Sequence, residues 1–430
     1  MGPAFSLAST LGVMVAVAGT SALPALAATT GVMLLLALTF AQLTARFPDA
    51  GSSYGWARRA FGSAAGAYTA WILLVANFFA VLATAIPAGS YTLALIAPQL
   101  VDSAAWDAGV GMVWIVACAA ILYLGIRSSA RVAAVLLIAE LLVLAATAIA
   151  GGVHAAPSVA SPAAGIPLTA GAFVAAMVLG IWMVDGWEVS ASTSEETRGA
   201  SRTAGNGGIL GLLVTAAFLF ACSAAYVHAG GVAGLASHQT DALAFVGTRL
   251  GGAWRTLIVI TVLVSLAASL ETTLLYLVRS VYAMGRDGVL PPQLGRLGGG
   301  THDPDVSLVV ITVASLLAML LVAFVPSANA GLTLVLNGTA VFLGILFLTS
   351  CAAALRLRRA LPEPKDTPLF AASAGLALVV ILSIAVAQAA PATRACILVF
   401  LALGVPVALG HRLRRQGGKV QGAAVRNIGG

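Results

Sequence analysis

Long apolar runs separated by short polar segments make up most of the chain. Each run is near the roughly 20 residues that an α-helix needs to cross a bilayer. The pattern predicts about twelve membrane-spanning helices, at approximately 3–19, 24–46, 65–96, 108–125, 132–151, 169–191, 207–228, 253–283, 306–325, 330–355, 368–389 and 391–410. No long polar stretch divides them, so we expect one polytopic membrane domain over residues 1–430.

Composition supports this assignment and excludes other classes of protein. Of the 430 residues, 60% are hydrophobic and 9% are charged, and the mean hydropathy is +1.01. A soluble globular protein of this length does not have these values. A membrane β-barrel would show short segments of alternating hydrophobicity instead of long apolar runs. The fold class is therefore predicted to be all-α and integral to the membrane.

Charge and cysteine placement argue against several kinds of partner. The formal net charge is +7, but the basic residues are dispersed in short loops, which is not typical of nucleic-acid binding. The four cysteines fall inside apolar runs and show no metal-ligand or disulfide spacing. The sequence also contains no P-loop and no nucleophile elbow. We expect no metal, no cofactor, no nucleic-acid partner and no enzymatic activity.

The distribution of Lys and Arg predicts the orientation in the membrane. If the N-terminus is cytoplasmic, Arg249, Arg255 and Arg394 lie outside, and the rest of the 22 Lys and Arg residues lie at cytoplasmic positions. Cytoplasmic loops of membrane proteins carry this excess of positive charge. We therefore expect a multi-pass protein of the cell membrane, with both termini in the cytoplasm and a cytoplasmic tail over residues 411–430.

The sixth apolar run carries polar residues where a lipid-facing helix would have none. Asp185 and Glu188 lie within it, with Gly186 between them. A charged side chain near the bilayer centre costs roughly 2.5–3.5 kcal/mol on insertion scales, so it usually faces a cavity or a partner. Glycine permits local unwinding, which a membrane tolerates only where the backbone is buried in protein or lines a cavity. We expect this run to form one wall of a substrate site.

The order of the runs suggests an internal repeat. The first five runs and the next five each begin with a glycine-bearing helix, and an odd number of spans in each half would invert the second half. Inverted repeats with interrupted helices at corresponding positions are typical of secondary transporters. We expect one repeat over about 1–151 and a second over about 169–355, followed by two extra helices over about 368–410.

Three sequence blocks resemble the amino acid–polyamine–organocation (APC) family of transporters. Residues 43–62 are similar to the family's first cytoplasmic loop, and 185–188 followed by the glutamates at 195–196 are similar to its broken sixth helix. The end of the eighth run, 279–291, resembles a third family block. The resemblance implies a five-plus-five inverted repeat with broken helices 1 and 6. It also implies a substrate held between these helices with alternating access, and amino acids or related small amines as the substrate class.

By the same resemblance, the first substrate-binding segment lies at the start of the chain, at Pro3, Ala4, Phe5, Ser6 and Leu7. An unwound segment there would offer N–H donors and C=O acceptors to the substrate. The alternative is an ordinary helix start with proline in its first turn. Family members have a half-helix before this segment. Either the true start lies upstream, or the half-helix is absent; its absence would favour a non-transporting membrane sensor or an inactive relative.

The resemblance further implies substrate contacts in two other helices, at Asn77, Trp182, Asp185, Gly186 and Trp187. Trp182 matches the family's aromatic residue that covers the substrate, and its ring could attract an ammonium group by about 0.5–2 kcal/mol. The alternative for Trp182 is packing. For Asn77, a hydrogen bond between helices is an equally good explanation.

Three carboxyl groups are candidates for gating or proton coupling. Glu188 matches a family position associated with gating at the inner side, unless it belongs to a polar pair at a helix end. Glu140 lies where many relatives have a lysine; because burial disfavours a charged carboxylate, it could exchange a proton, unless it reaches water at the inner surface. Glu271 is a second proton or amine candidate, with a structural hydrogen bond as the alternative.

Together these observations predict a secondary active transporter. It would move amino acids or related small amines across the cell membrane, by proton coupling or by exchange. The proton is favoured over sodium as the coupling ion.

Overall fold

The computed structural model describes residues 2–100, 103–154, 169–195, 200–237, 242–298, 304–324, 328–389 and 391–428. Within these ranges the chain forms helices and no strand. Helices are expected because lipid offers no hydrogen-bond partners to the backbone, so each spanning segment must satisfy its own N–H and C=O groups. The predicted all-α membrane fold is confirmed.

The first half of the chain forms the helices α1 (Pro3–Ser6), α2 (Gly12–Ala18), α3 (Ala22–Arg46), α4 (Ser53–Phe61), α5 (Ser63–Ile96), α6 (Ala104–Tyr123) and α7 (Ile126–His154). A π-helical segment, Leu7–Leu11, joins α1 to α2 without a loop, so the first helix changes its hydrogen-bond pattern but is not unwound over Pro3–Ser6, where an unwound segment was expected. Short π-helical segments are frequent at functional sites.

The second half forms α8 (Ala170–Met183), α9 (Val189–Ser192), α10 (Ala200–Gly230), α11 (Val232–Ser237), α12 (Ala242–Leu250), α13 (Ala253–Arg286), α14 (Asp305–Val322), α15 (Ala328–Leu357), α16 (Thr367–Gln388) and α17 (Pro391–Ile428). Short 3₁₀ turns lie at Gly19–Ser21, Pro98–Leu100, Pro292–Gly295 and Arg358–Ala360. The predicted break in the sixth run is confirmed, because α8 ends at Met183 and α9 begins at Val189.

Each of the twelve predicted runs corresponds to helical structure. Not every run, however, forms a separate helix that is long and apolar enough to cross a membrane. Ten helices in the described residues are long and apolar enough to cross a membrane. The end of the first run and the whole of the second lie in one stretch, Gly12–Arg46, where the turn at Gly19 separates α2 from α3. The sixth run falls short because its break leaves α8 with 14 residues. The difference therefore comes from the helix interruptions.

Three short helices lie outside the predicted runs. These are α4, α11 and α12, which contain 9, 6 and 9 residues. They are too short to show helical periodicity in the sequence. Residues such as Tyr54 and Trp56 in α4 are buried by other helices, which the local sequence does not reveal. The sequence pattern therefore could not distinguish them from loops.

Burial separates central helices from peripheral ones. In the most apolar window of each helix, 83% of α5 is buried, compared with 22% for α16 and 17% for α17. Helix α5 packs against α13 and α15, and α3 packs against α10. The two last helices thus form the outer edge of the bundle, while α5 and α13 lie where a central site would be.

A cluster of charged residues joins three segments at one end of the bundle. Arg58 pairs with Asp287 (2.6 Å) and Arg286 pairs with Glu195 (3.0 Å), and the backbone N–H of Ala50 donates to Glu195 (3.1 Å). We call this group, together with Asp49 and Tyr54, the inner clamp; the Tyr54 hydroxyl donates to Asp287 at 2.5 Å.

The carboxylates of Glu195 and Asp287 thus pair with basic residues at this end of the bundle. Glu196 lies outside the described residues. All three segments joined by the inner clamp belong to loops that the charge distribution assigned to the cytoplasm. At the other end of the bundle, α11 packs against α2, and both lie in the part of the chain assigned to the outer side.

Candidate functional site

A cavity of about 70 Å³ lies beside the interruption between α8 and α9. Its walls come from the start of the first helix, the middle of α5, the α8–α9 break, α13 and one residue of α15. Clefts between helices of a bundle are common binding sites for small ligands. The size of this cavity favours a small ligand.

The break itself depends on glycine. Gly186 has φ of +101°, a conformation that other residues adopt only with strain. Its N–H donates to the Glu188 carboxylate at 2.9 Å. Within the described residues, no hydrogen bond is made to the carbonyl oxygens of Val184 or Asp185. The break therefore leaves these two carbonyl oxygens as acceptors, while the N–H of Gly186 is bonded to the protein's own carboxylate.

A second glycine positions α8. A Cβ added at Gly180 would meet the side chain of Thr29 in α3, so glycine allows the two helices to approach closely. The Thr29 hydroxyl donates to the Met177 carbonyl at 3.1 Å across this contact. At the start of α8, the Thr169 side chain accepts the N–H of Ala172 and caps the helix.

Asp185 and Glu188 both line the cavity. Their carboxyl groups lie close enough to interact with each other. Glu188 is 4% exposed, and Asp185 has a side-chain oxygen, Oδ1, that is buried without a hydrogen-bond partner. Two neighbouring carboxylates repel one another, so this pair favours a proton or a cationic group in the cavity.

Asn77 and Trp182 also line the cavity, from α5 and α8. The Asn77 amide nitrogen donates to the Leu73 carbonyl at 2.9 Å, which is a hydrogen bond within α5 and not one between helices. The Trp182 indole nitrogen is buried without a partner. The structure therefore brings these two predicted contacts together with Asp185 and Gly186.

Trp187, another predicted contact, does not line the cavity. Its ring packs against Phe40 at 5.1 Å and Phe347 at 6.0 Å between ring centres, and the residue is 5% exposed. Gly186 turns the chain at this point, so adjacent side chains leave the break in different directions. Packing, and not contact with a ligand, is the role that the structure supports for Trp187.

The first helix reaches the cavity through Phe5 and Ser6, and Gly2 also lines it. Pro3, Ala4 and Leu7 are buried but do not line the cavity. The start of the helix is held by side chains of other helices: the N–H of Phe5 donates to Ser265 Oγ at 3.1 Å, and the N–H of Ala4 donates to Glu140 Oε1 at 2.5 Å.

Glu140 is completely buried. The burial argues against the alternative explanation, in which its side chain reaches water at the inner surface. Its Oε1 also accepts the Ser265 hydroxyl at 2.8 Å, whereas its Oε2 has no partner. It does not line the cavity. It contacts the cavity wall indirectly, because it binds the residue that precedes Phe5 in the first helix.

Glu271 is buried on a different face of α13. It is 4% exposed, its Oε1 has no partner, and it lies near Cys118 of α6. The next two residues, Thr272 and Thr273, line the cavity, but Glu271 does not. The structure therefore separates Glu271 from the carboxyl pair at the break.

A stripe of hydroxyl groups on α13 escaped the sequence analysis. Ser269, Thr272, Thr273 and Tyr276 all line the cavity. Single hydroxyl residues are common in membrane helices, so Ser269 by itself did not identify the wall. Their spacing of i, i+3, i+4 and i+7 nevertheless places them on one helix face, and this pattern could have identified the wall.

The described residues contain no group of three or more His, Cys, Asp or Glu side chains that could hold a metal ion. The side chains at the cavity instead offer acceptors, hydroxyl groups and an aromatic ring. These groups can bind a small polar molecule without a cofactor.

Comparison with known proteins agrees with this architecture. A family model described as amino acid permease matches residues 1–404. A search of curated proteins found no match. The family match spans both the first helix and the broken α8–α9 segment that together form the cavity, and the chain therefore belongs to the amino acid permease family.

Proposed function

We propose that the protein is a secondary active transporter that moves an amino acid or a related small amine, with the cavity as its substrate site. The observation that carries this proposal is the cavity beside the broken α8–α9 segment, with carboxyl, amide and indole groups around it. A helix break at membrane depth is stable where its freed groups meet a ligand or buried protein.

Alternating access requires that the cavity open to each side in turn. In this proposal the inner clamp closes the cytoplasmic side, and the repeats over about 1–151 and 169–355 move relative to each other when it opens. The clamp joins segments from both repeats, through Arg58 in the first and Asp287 in the second. On the outer side, α12 packs against the π-helical segment and α13 and closes the opposite entrance.

Both termini are placed in the cytoplasm in this proposal, within the cell membrane. Two groups of contacts support the assignment of sides. The inner clamp unites three loops assigned to one side, and the contact of α11 with α2 unites segments assigned to the other.

Glu140 is proposed to couple transport to protons. Its Oε1 holds the N–H of Ala4 and the hydroxyl of Ser265, and its Oε2 is free to carry a proton. A carboxylate binds an N–H donor more strongly than a neutral carboxyl group does. Protonation would therefore weaken the hold of α7 and α13 on the first helix and let Phe5 and Ser6 move at the cavity wall.

Uptake into proteoliposomes tests both parts of the proposal. Wild-type protein should accumulate substrate when the outside is more acidic than the inside. The Glu140→Gln variant keeps an acceptor oxygen for Ala4 but cannot exchange a proton, so it should lose accumulation driven by the pH gradient and retain exchange of substrate for substrate. Glu363→Gln changes an exposed carboxyl far from the cavity and serves as the matched control.

Two results would contradict the proposal. Wild-type accumulation by Glu140→Gln would remove this residue from coupling. Ligand binding by the wild-type protein without uptake or exchange would reject transport and support the alternative of a membrane sensor.

A further inference from the structure

We infer that the cavity selects a small primary amine of net positive charge, whose ammonium group lies beside the paired carboxyl groups of Asp185 and Glu188. This inference rests on the proposed transport function and narrows its substrate class. It separates net-cationic amines, such as diamines and basic amino acids, from neutral and acidic amino acids.

The charges that line the cavity are of one sign. Asp185 and Glu188 line it, and no Lys, Arg or His is among the described residues around it. An acidic ligand would meet only repulsion from these two side chains. A ligand of net positive charge would be attracted by both of them.

Hydrogen-bond capacity points in the same direction. Asp185 Oδ1 is buried without a partner. Asn77 is 5% exposed and lines the cavity, and its amide nitrogen is bonded to the Leu73 carbonyl, which leaves its side-chain oxygen to accept a hydrogen bond. An ammonium group has three donors and no acceptor, so it matches this set.

The helix break would ordinarily favour a carboxylate, because it frees backbone N–H groups. In this chain the N–H of Gly186 already donates to the protein's own Glu188 carboxylate at 2.9 Å. A substrate carboxylate at the break would have to displace Glu188. Two side-chain donors without partners, Trp182 Nε1 and Ser269 Oγ, belong to residues of α8 and α13 that line the cavity, and they can serve the opposite end of a basic amino acid.

The aromatic wall completes the match. Trp182 lines the cavity from the end of α8, three residues before Asp185 in the break. The face of an indole ring attracts ammonium groups, and it can also pack against an uncharged aliphatic chain. An amine with a short aliphatic chain therefore satisfies the acidic and the aromatic sides of the cavity together.

Ligand-induced stabilisation of the purified protein tests the inference. The probes are cadaverine, lysine, norleucine and glutamate, because norleucine matches lysine but lacks its second ammonium group. Lysine and cadaverine should bind about 10- to 100-fold more tightly than norleucine, since hydrogen bonds to charged groups have this effect on an equilibrium. Glutamate should bind most weakly.

Two variants connect the selectivity with the carboxyl pair. Asp185→Asn and Glu188→Gln should each reduce the lysine-to-norleucine affinity ratio by about tenfold. A loss of folded protein cannot produce this result, because both ligands are measured on the same sample. Glu363→Gln, which alters an exposed carboxyl away from the cavity, should keep the wild-type ratio.

The inference is overturned if norleucine binds as tightly as lysine, if glutamate is preferred, or if both variants keep the wild-type ratio. Its failure is distinguishable from a failure of transport. Uptake of norleucine into proteoliposomes without uptake of lysine or cadaverine would keep transport and reject cation selectivity. Cation-selective binding without uptake of any probe would reject transport and retain the selectivity of the cavity.

Discussion

Ser265 joins three helices through one hydroxyl group. Its oxygen accepts the N–H of Phe5, and its hydrogen is donated to Glu140, which in turn accepts the N–H of Ala4. The first N–H groups of an α-helix have no partner within the helix. Side chains of α7 and α13 therefore provide the cap that the start of the first helix lacks.

The Ser265→Ala substitution should destabilise the protein by about 1–3 kcal/mol, because it removes two buried hydrogen bonds. Ser269 lies one turn later on α13, and its hydroxyl has no partner. Ser269→Ala should therefore stay within about 0.5 kcal/mol of the wild type. Thermal unfolding of both variants in the same detergent measures the difference, and equal midpoints would disprove the capping role.

Trp182→Ala should weaken binding of an amine substrate by roughly tenfold, because the cavity loses the aromatic face that attracts an ammonium group. Trp182→Phe should recover part of the affinity. Trp106, which is 55% exposed and does not line the cavity, provides the control substitution to alanine. Equilibrium binding of a labelled substrate is the measurement; unchanged affinity in Trp182→Ala would assign this ring to packing alone.

Glycines determine how closely neighbouring helices approach. In α5, a Cβ on Gly89 would overlap the backbone carbonyl of Asp107 in α6. A backbone atom cannot move aside as the end of a flexible side chain can. The contact between α5 and α6 is therefore set by this glycine, and it supports the wall that carries Asn77 and Thr84.

Gly89→Ala should destabilise the protein by about 1–3 kcal/mol, because α5 and α6 must separate to admit the methyl group. Gly109 lies in α6, and an added Cβ there would meet no atom within 4 Å. Gly109→Ala should therefore be neutral or should stabilise the helix by up to about 1 kcal/mol. Resistance to thermal unfolding compares the two; a stable Gly89→Ala protein would show that the helices can separate without penalty.

The inner clamp connects α4 with the end of α13. Arg58 and Asp287 are partly shielded from water, with 27% and 13% of their side chains exposed. A double-mutant cycle tests this pair. It compares the single variants Arg58→Met and Asp287→Asn with the variant that carries both substitutions. We expect a coupling of about 1 kcal/mol in thermodynamic stability, since the pair is short but remains accessible to solvent.

Salt provides the control for that cycle. The coupling should decrease at high ionic strength, because exposed ion pairs are screened. A coupling near zero at low salt would show that packing of α4, and not the ion pair, joins these segments.

The protein as a whole has two distinct ends, and each collects segments that are distant in the chain. The inner clamp joins residues near 50, 195 and 286, while α11 and α12 pack against the first helix at the other end. The cavity lies between them. An arrangement of this kind permits one end to open while the other stays closed.

Cysteine labelling of intact cells should reveal the two ends. In a background without native cysteines, Thr248→Cys should react with an impermeant maleimide added outside, and Gln293→Cys should react only after the membrane is opened. Both positions are exposed, and the positive-inside rule assigns them to opposite sides. The reverse labelling pattern would invert the proposed orientation.

Local polarity in the sequence was enough to determine the helical membrane class, the approximate spans and the break near Gly186, because a lipid environment acts on each segment separately. Tertiary structure decided which side chains meet. Ala4 and Glu140 are 136 residues apart, and Phe5 and Ser265 are 260 apart, yet each pair shares a hydrogen bond. It also turned Trp187 away from the cavity and aligned the hydroxyl groups of α13 with it. These outcomes depend on which helix faces pack together, and no single segment contains that information.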